Sequence, residues 1–298
     1  MATTDCVLIM DNDIILAPAY LEKIIDAFKK HPDAGAISGQ IRLYEQPEKL
    51  QYNGAFIHYA GEVILNKKIS EDPLCVTCVS AGAALFNRKR AIEIGGFDED
   101  WPLVVYGEDV DLGMRFNQAG YEIRCNRQAV VRHNSATIHG TMQVLRKKFF
   151  TGRADYHLGK KHPDRLALEF PSWTALGLIL LPIFIGKSLI EQYLDPLLMF
   201  AAAISLGILF QAFLTAKASK TGQQDIFRYA LVIIFEAVFE FGKICESLRN
   251  GQLLRMWTKF VYVDRQLLGE RDKRIRQMWS VFLTLLFLVA FSGIHIFG

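Results

Sequence analysis

The second half of the chain contains long stretches with almost no charged residues, and these stretches limit the possible folds more than any other feature. Residues 173–190 are apolar except for Lys187, and residues 194–214 are uncharged apart from Asp195 near the edge. Residues 279–297 form a third stretch of this kind. Because a helix needs about 20 apolar residues to cross a bilayer, the three stretches predict membrane-spanning helices.

A fourth apolar stretch, about residues 226–245, contains two acids that lie one helical turn apart, Glu236 and Glu240. Nine Lys and Arg residues lie between Lys243 and Arg276. A spanning helix would place these nine outside, against the usual bias of basic residues towards the inner side. We therefore expect a re-entrant or interfacial helix, in which the acids either line a groove for a lipid acceptor or pair with neighbouring basic residues.

The first half of the chain has the alternating pattern of an α/β domain. The apolar run Cys6–Met10 predicts a buried parallel strand, and apolar residues at helical spacing after Pro18 predict a helix that ends before Pro32. A further helix is expected over residues 108–118, closed by Gly120, followed by short strands at 121–125 and 129–131.

Overall composition excludes two classes of protein. Hydrophobic residues make up 51% of the chain and charged residues only 22%, which argues against a disordered chain. The 34 Lys and Arg residues nearly balance the 31 Asp and Glu residues, so the net charge is only +3. This balance argues against a nucleic-acid partner.

Two carboxylates, Asp11 and Asp13, directly follow the first predicted strand. In open α/β sheets, ligands bind beyond the carboxyl ends of the strands. Two carboxylates separated by one residue can reach a single hard cation, which can in turn hold a diphosphate. The alternative is a purely structural Asx turn between the strand and the helix that follows it.

Three acids, Glu108, Asp109 and Asp111, stand at the start of the predicted helix over residues 108–118. Acids in a first helical turn complement the helix dipole, and this is the structural explanation. A carboxylate at this place could also accept a proton from a hydroxyl nucleophile. His133, which follows a short apolar run, is either a structural hydrogen-bonding residue or an imidazole ligand added to a carboxylate metal site.

Five segments in this order resemble the family 2 inverting glycosyltransferases, which have the GT-A fold: V-L-I-M-D-N-D, S-A-G-A-A-L-F-N-R, G-G-F-D-E-D, G-E-D-V-D-L-G-M-R and A-V-V-R-H. The resemblance covers about residues 5–135. It implies a nucleotide-diphosphate sugar as donor and a divalent cation, Mn²⁺ or Mg²⁺, at Asp11 and Asp13, with His133 as a third ligand. It also implies a catalytic pair, Glu108 and Asp109.

Within that pair, the resemblance assigns the catalytic base to Asp109, and it places Gly82 and Ala83 along the donor-sugar pocket. Members of the family open with a strand and nucleotide-binding residues well before the Asp-x-Asp motif. Here ten residues precede Asp11. We therefore expect residues 1–136 to form a GT-A-like catalytic domain that is incomplete at its N-terminus. No Q-x-x-R-W motif follows the acid pair, which argues against a processive polysaccharide synthase.

The expected organisation has two further parts. Residues 137–165 carry seven basic residues against two acids. This excess predicts that residues 137–170 form a basic amphipathic segment on a membrane surface, with membrane lipids as partners. Residues 171–298 form the predicted all-α membrane region with spans at 173–190, 194–214 and 279–297. Together they predict an integral membrane protein with a cytoplasmic catalytic domain.

This organisation predicts an enzyme that transfers sugar to a lipid-linked or glycan acceptor at the cytosolic membrane face. Two alternatives remain open at the level of the sequence. One is a truncated, catalytically inactive membrane protein that acts as a scaffold or assembly partner. The other is a metal-dependent phosphate-cleaving enzyme that uses the same acids, although it lacks the further ligands that a two-metal site requires.

Overall fold

The structure is a computed structural model, and it describes residues 3–44, 50–53, 74–76, 78, 82–103, 106–134, 141–168, 173–218 and 226–262. The chain divides into two compact units. The first comprises Met1–Val144, His157–Arg165 and Val261–Leu267, and the second comprises Leu145–Tyr156, Leu166–Phe260 and Leu268–Gly298.

The described residues form both strands and helices throughout the chain. The strands are β1 Cys6–Met10, β2 Ile14–Leu16, β3 Ala34–Leu43, β4 Leu50–Asn53, β5 Leu74–Val76, β6 Ala83–Asn87, β7 Glu122–His133, β8 Leu166–Leu168 and β9 Thr258–Phe260. The helices are α1 Tyr20–Lys30, α2 Arg88–Glu93, α3 Glu108–Gln118, α4 Thr141–Lys161, α5 Trp173–Glu191, α6 Asp195–Ala218 and α7 Ile226–Arg249.

The first unit is built on a mixed seven-stranded sheet. Five strands follow the order β1-β6-β3-β7-β2, while β4 pairs with β3 and β5 pairs with β7. The central pair, β3 and β7, is parallel, and the other pairs are antiparallel. This mixed α/β architecture with a central sheet confirms the α/β expectation and is consistent with a GT-A domain.

Helices cover both faces of this sheet. Ile24 of α1 has no exposed surface and belongs to a core cluster with Ile37, Ile41 and Val131 of the sheet. On the other face, the ring of Phe116 in α3 stacks on Phe86 of β6, with centroids 6.2 Å apart. The amphipathic pattern of α1 follows from this arrangement, because one stripe of the helix lies against the sheet.

Two strand predictions are wrong in detail. Strand β1 was expected to be a buried parallel strand, but it pairs antiparallel with β6 at the end of the described strand order and is only half-buried. The two short strands expected at 121–125 and 129–131 form one strand, β7. A bulge joins them: Gly39 pairs with Asn126, and the next residue, Gln40, pairs with Val130.

The second unit contains a close helix crossing formed by two glycines. A Cβ on Gly152 of α4 would lie 1.8 Å from the carbonyl oxygen of Phe239 in α7. A Cβ on Gly242 of α7 would lie 2.1 Å from the carbonyl oxygen of Phe149. These contacts are far shorter than van der Waals distance, so only glycine permits the two backbones to approach this closely.

Charged side chains of α7 pair within the second unit. Glu236 accepts a hydrogen bond from Lys148, Glu246 accepts one from Arg153 at 2.5 Å, and Glu240 accepts one from the backbone N–H of Thr174 at 3.3 Å. The sequence left open whether Glu236 lines a lipid groove or pairs with a basic residue, and the structure shows that it pairs with Lys148.

The prediction of membrane-spanning helices needs correction. Among the residues that the structure describes, no helix is both apolar enough and long enough to pass through a bilayer. Two of the helices carry charged side chains: Lys187 lies 3.2 Å from Glu191 in α5, and α7 carries several acids and bases. This finding overturns the predicted all-α transmembrane region and the predicted location as an integral membrane protein with a cytoplasmic catalytic domain. The span expected at 279–297 lies outside the described residues.

Candidate active site

The turn that carries the Asp-x-Asp motif is fixed by backbone hydrogen bonds to two other strands. The N–H of Asp11 donates to the carbonyl oxygen of Gly82 at 3.0 Å, at the start of β6. The N–H of Asn134 donates to the carbonyl oxygen of Asp13 at 2.8 Å, just after β7. The motif therefore lies where the ends of β1, β6 and β7 meet, which holds its side chains in a defined place.

The structure brings Asp13 and His133 together. Strand β2 pairs with β7 so that Ile14 lies opposite His133, and this register places the imidazole beside Asp13, the residue just before β2. His133 Nε2 lies 3.2 Å from Asp13 Oδ2. The other carboxylate oxygen, Asp13 Oδ1, is buried and has no hydrogen-bond partner within the described part of the chain.

These groups fit part of a cation site. A buried carboxylate oxygen without a partner is costly, and a cation would satisfy it. Asp11 lies on the same turn and is exposed. Within the described ranges, no cluster of three or more His, Cys, Asp or Glu side chains is arranged to hold a metal ion. The role of Asp11, Asp13 and His133 as metal ligands therefore stays a prediction.

Gly82 and Ala83, predicted to line the donor pocket, lie directly beside the motif. Ala83 pairs with Met10, the residue before Asp11, and only 1% of its surface is exposed. Its carbonyl oxygen accepts a hydrogen bond from the hydroxyl of Tyr20 at 2.8 Å. The segment is thus rigidly attached to β1 and α1, while its contact with a sugar stays a prediction.

The predicted catalytic acids lie on a separate element, the first turn of α3. Helix α3 begins after two consecutive residues with left-handed backbone, Tyr106 at φ 82° and Gly107 at φ 95°. Asp109 Oδ1 accepts a hydrogen bond from the N–H of Val110 at 2.8 Å. Glu108 Oε2 is buried and lacks a hydrogen-bond partner among the described residues.

The third acid of this turn, Asp111, is the centre of a buried network that the sequence did not reveal. Its side chain has no exposed surface. Oδ2 accepts hydrogen bonds from Arg115 Nε and Lys161 Nζ, both at 2.9 Å, and Oδ1 lies 2.9 Å from His162 Nε2. The spacing of Asp111 and Arg115, four residues apart on a helix, was the one signal of this network in the sequence.

This network lowers the pKa of Asp111. Burial alone would raise that pKa, but the hydrogen bonds from His162 and Lys161 and the nearby charge of Arg115 outweigh burial. The hydrogen bond from Lys161 also lowers the pKa of Asp98, whose Oδ2 lies 2.6 Å from the ammonium. Both carboxylates are therefore held in the ionised form.

Comparison with known proteins identifies the family. The sequence pattern described as "Glycosyl transferase family group 2" matches residues 6–294, which is nearly the whole chain. The chain belongs to glycosyl transferase family group 2. This confirms the resemblance carried by the five motifs.

Curated relatives in this family are glycosyltransferases, at low identity. The chain is 29% identical over 166 residues to a pre-mycofactocin glycosyltransferase of Mycobacterium tuberculosis. The aligned region covers 55% of the chain and 34% of that protein. The chain is 26% identical over 179 residues to an N-acetylglucosaminyl-diphospho-decaprenol L-rhamnosyltransferase of the same organism, covering 52% of the chain and 57% of that relative. An O-antigen chain rhamnosyltransferase of Salmonella typhimurium is 25% identical over 132 residues, covering 44% and 41%.

The matched part of the chain spans about a third to somewhat over half of the length of these relatives. The names of these three relatives refer to different molecules. The relatives therefore share glycosyl transfer as an activity but do not share one substrate.

Proposed function

We propose that this chain transfers a sugar from a nucleotide-diphosphate donor to a lipid-linked or glycan acceptor, with inversion at the anomeric carbon. The observation that carries the proposal is the Asp13–His133 pair at the meeting point of three strand ends. In it, Asp13 Oδ1 is buried without a hydrogen-bond partner among the residues that the structure describes. A cation-binding donor site needs such a group at such a place.

Asp11, Asp13 and His133 would hold the divalent cation, Mn²⁺ or Mg²⁺. When bound, the cation supplies positive charge that neutralises the departing diphosphate. The chain itself keeps these ligands in place through two backbone hydrogen bonds, from the N–H of Asp11 to the carbonyl oxygen of Gly82 and from the N–H of Asn134 to that of Asp13. Gly82 and Ala83 would bound the space next to these ligands that the donor sugar occupies.

Asp109 would act as the catalytic base, with Glu108 beside it on the first turn of α3. The acceptor oxygen attacks the anomeric carbon from the face opposite the diphosphate, and a new glycosidic C–O bond forms. The bond between that carbon and the diphosphate oxygen breaks, and the nucleotide diphosphate leaves with the electron pair. The acceptor proton passes to the Asp109 carboxylate. No covalent sugar–enzyme intermediate is needed, so a single displacement inverts the configuration.

The acceptor class is supported by the relatives. The name of one relative specifies N-acetylglucosaminyl-diphospho-decaprenol, and that of another specifies an O-antigen chain. An acceptor of this kind presents a sugar hydroxyl, which is the group that a carboxylate base can deprotonate as it attacks.

The direct test incubates the purified chain and Mn²⁺ with a panel of radiolabelled nucleotide-diphosphate sugars that includes a rhamnose donor. The acceptors are polyprenyl-diphosphate-linked sugars and free oligosaccharides. We expect label in the acceptor fraction, release of one nucleotide diphosphate per sugar, and a product of inverted configuration by NMR. A retained configuration would contradict the mechanism.

The same experiment separates the two alternatives. A scaffold protein gives no transfer and no release of nucleotide diphosphate with any donor. A phosphate-cleaving enzyme releases nucleotide or phosphate at the same rate whether or not an acceptor is present. Glycosyl transfer requires that release depends on the acceptor.

A further inference from the structure

We propose that Lys161 is a positioning residue for the catalytic base. Its ammonium group contacts both ends of the segment that carries Glu108 and Asp109. This inference rests on the proposed function. Lys161 is 50 residues away from Asp111 in the sequence, and no motif of the chain includes it. Its role follows from the contacts of the folded first unit alone.

The ammonium group contacts one carboxylate on each side of the catalytic pair. Lys161 Nζ lies 2.6 Å from Asp98 Oδ2, in the turn that precedes α3, and 2.9 Å from Asp111 Oδ2, within its first turn. The segment between the two contacts, residues 98–111, contains Glu108 and Asp109. One side chain thus fixes both ends of this segment, which we call the base segment.

Of the two contacts, the one with Asp111 is the stronger, because it is shielded from water. Asp111 is fully buried, whereas the side chain of Lys161 is 33% exposed and that of Asp98 is 28% exposed. Charge-assisted hydrogen bonds gain strength as water is excluded, and a buried carboxylate depends on its partners. Loss of Lys161 leaves Asp111 with Arg115 and His162, so the helix keeps support while its connection to Asp98 is lost.

Inside the base segment, a second contact transmits this constraint to the residues before the helix. The N–H of Trp101 donates to the carbonyl oxygen of Asp98 at 3.2 Å, and Trp101 Nε1 donates to the carbonyl oxygen of Tyr106 at 3.1 Å. Lys161 Nζ also lies 5.8 Å from the centre of the Trp101 ring. Tyr106 has a left-handed backbone, which a non-glycine residue adopts only when its surroundings hold it there.

Lys161 therefore connects Asp98 to the first turn of α3, and Tyr106, just before that turn, has a strained backbone. A displacement of about 1 Å at a reacting group can cost about a hundredfold in rate, while ground-state binding elsewhere is unaffected. We expect Lys161 to act on kcat and not on the KM for the donor, because the predicted donor ligands Asp11 and Asp13 lie on another element.

The experiment compares Lys161→Met, which keeps the apolar stem, with Lys161→Arg, which restores a cation able to contact two carboxylates. Lys160→Met is the matched control, because Lys160 is an exposed neighbour on the same helix. In the transfer assay we expect Lys161→Met to lower kcat about 10- to 100-fold, with the donor KM within about twofold of wild type. Lys161→Arg should recover kcat to within about threefold, and Lys160→Met should match wild type.

An unchanged kcat in Lys161→Met would overturn the proposal, and so would an equal rise in donor KM. If Lys161→Met does not fold, Asp98→Asn gives the same test, since it removes only the contact on the loop side. Asp98→Asn should then lower kcat at least about threefold with an unchanged donor KM, and a wild-type kcat would refute the positioning role.

Hydrogen exchange separates this inference from the proposed function. Lys161→Met should accelerate amide exchange across residues 98–111, and Lys160→Met should not. If the wild-type chain transfers no sugar, the proposed function fails, while the exchange result still decides whether Lys161 holds the base segment. If the wild type transfers sugar and exchange is unchanged in Lys161→Met, the positioning proposal alone fails.

Discussion

The imidazole of His133 and the carboxylate of Asp13 are separated by 120 residues of sequence, yet His133 Nε2 lies 3.2 Å from Asp13 Oδ2. Asp13 directly precedes β2 and His133 ends β7, and the antiparallel pairing of these two strands brings the side chains together. This pairing supports the predicted cation-binding role of His133, which its sequence context left open.

Replacement of either member of this pair should weaken the response to metal. We expect His133→Ala and Asp13→Asn each to raise the Mn²⁺ concentration needed for half-maximal transfer at least about tenfold, because each removes a predicted ligand or its partner. A Mn²⁺ titration of the transfer rate measures this. Asp5→Asn, which changes an exposed acid just before β1, is the control and should leave the titration unchanged. Equal curves for wild type and both variants would exclude the pair as a metal site.

Replacement of Asp109 by Asn should lower kcat by about 10²- to 10⁴-fold, because the amide cannot accept the acceptor proton. The donor KM should change by less than about threefold, since Asp109 is not predicted to bind the donor. Steady-state kinetics with varied donor measures both constants. Asp100→Asn, a nearby substitution in the turn before α3, serves as the control. Transfer at the wild-type rate by Asp109→Asn would show that another group is the base.

Asp111→Asn should destabilise the first unit by about 2–3 kcal/mol, because it removes a buried charge from Lys161, Arg115 and His162. Urea unfolding measures the change. The pKa of Asp111 is lower in the folded chain than in the unfolded chain. Its stabilising contribution is therefore complete above the unfolded pKa of about 3.9 and is lost as the pH falls through the folded value. Below about pH 4 the wild type should lose stability more steeply than Asp111→Asn does. Parallel curves would contradict this account.

The helix crossing of the second unit predicts a sharp difference between two glycines. Gly152→Ala should destabilise that unit by about 3 kcal/mol or more, since its Cβ would lie 1.8 Å from the carbonyl oxygen of Phe239. Gly186→Ala in α5 is the matched control, because a Cβ there meets no atom within 4 Å in the described structure. Alanine has the higher helix propensity, so Gly186→Ala should stabilise by up to about 1 kcal/mol. Thermal unfolding of both variants gives the comparison.

The sequence predicted the local elements of the first unit well. The helix expected over residues 108–118 has those bounds in the structure, because three acids mark its first turn and Gly120 follows its end. The strand Cys6–Met10 also has the expected bounds, but its antiparallel partner and partial exposure could not be predicted. Those properties depend on which strand lies beside it, and an apolar run contains no such information.

The parts of the candidate site formed by residues close together in the sequence could be predicted. The parts formed by residues distant in the sequence could not. Asp11 and Asp13 stand out as a motif, whereas Lys161 and His162 resemble ordinary members of a basic stretch. Their contacts with Asp111 arise only when the end of α4 returns to α3. The low charge of residues 173–214 predicted membrane-spanning helices, and the described helices do not fulfil that prediction.

The bulge in β7 has a consequence for the orientation of His133. Ile37 and Ile41 lie four residues apart on β3 and face the same core, while their partners Arg124 and Val131 lie seven residues apart on β7. Because side chains alternate with a period of two, this odd separation reverses the phase of β7 halfway along its length. His133 is two residues beyond Val131 and shares its face. A one-residue deletion between 126 and 129 would therefore aim the imidazole at the opposite side of the sheet without changing any side chain of the site. Whether the number of residues in this bulge is odd or even therefore decides whether Asp13 and His133 lie in contact, and no sequence motif shows that number.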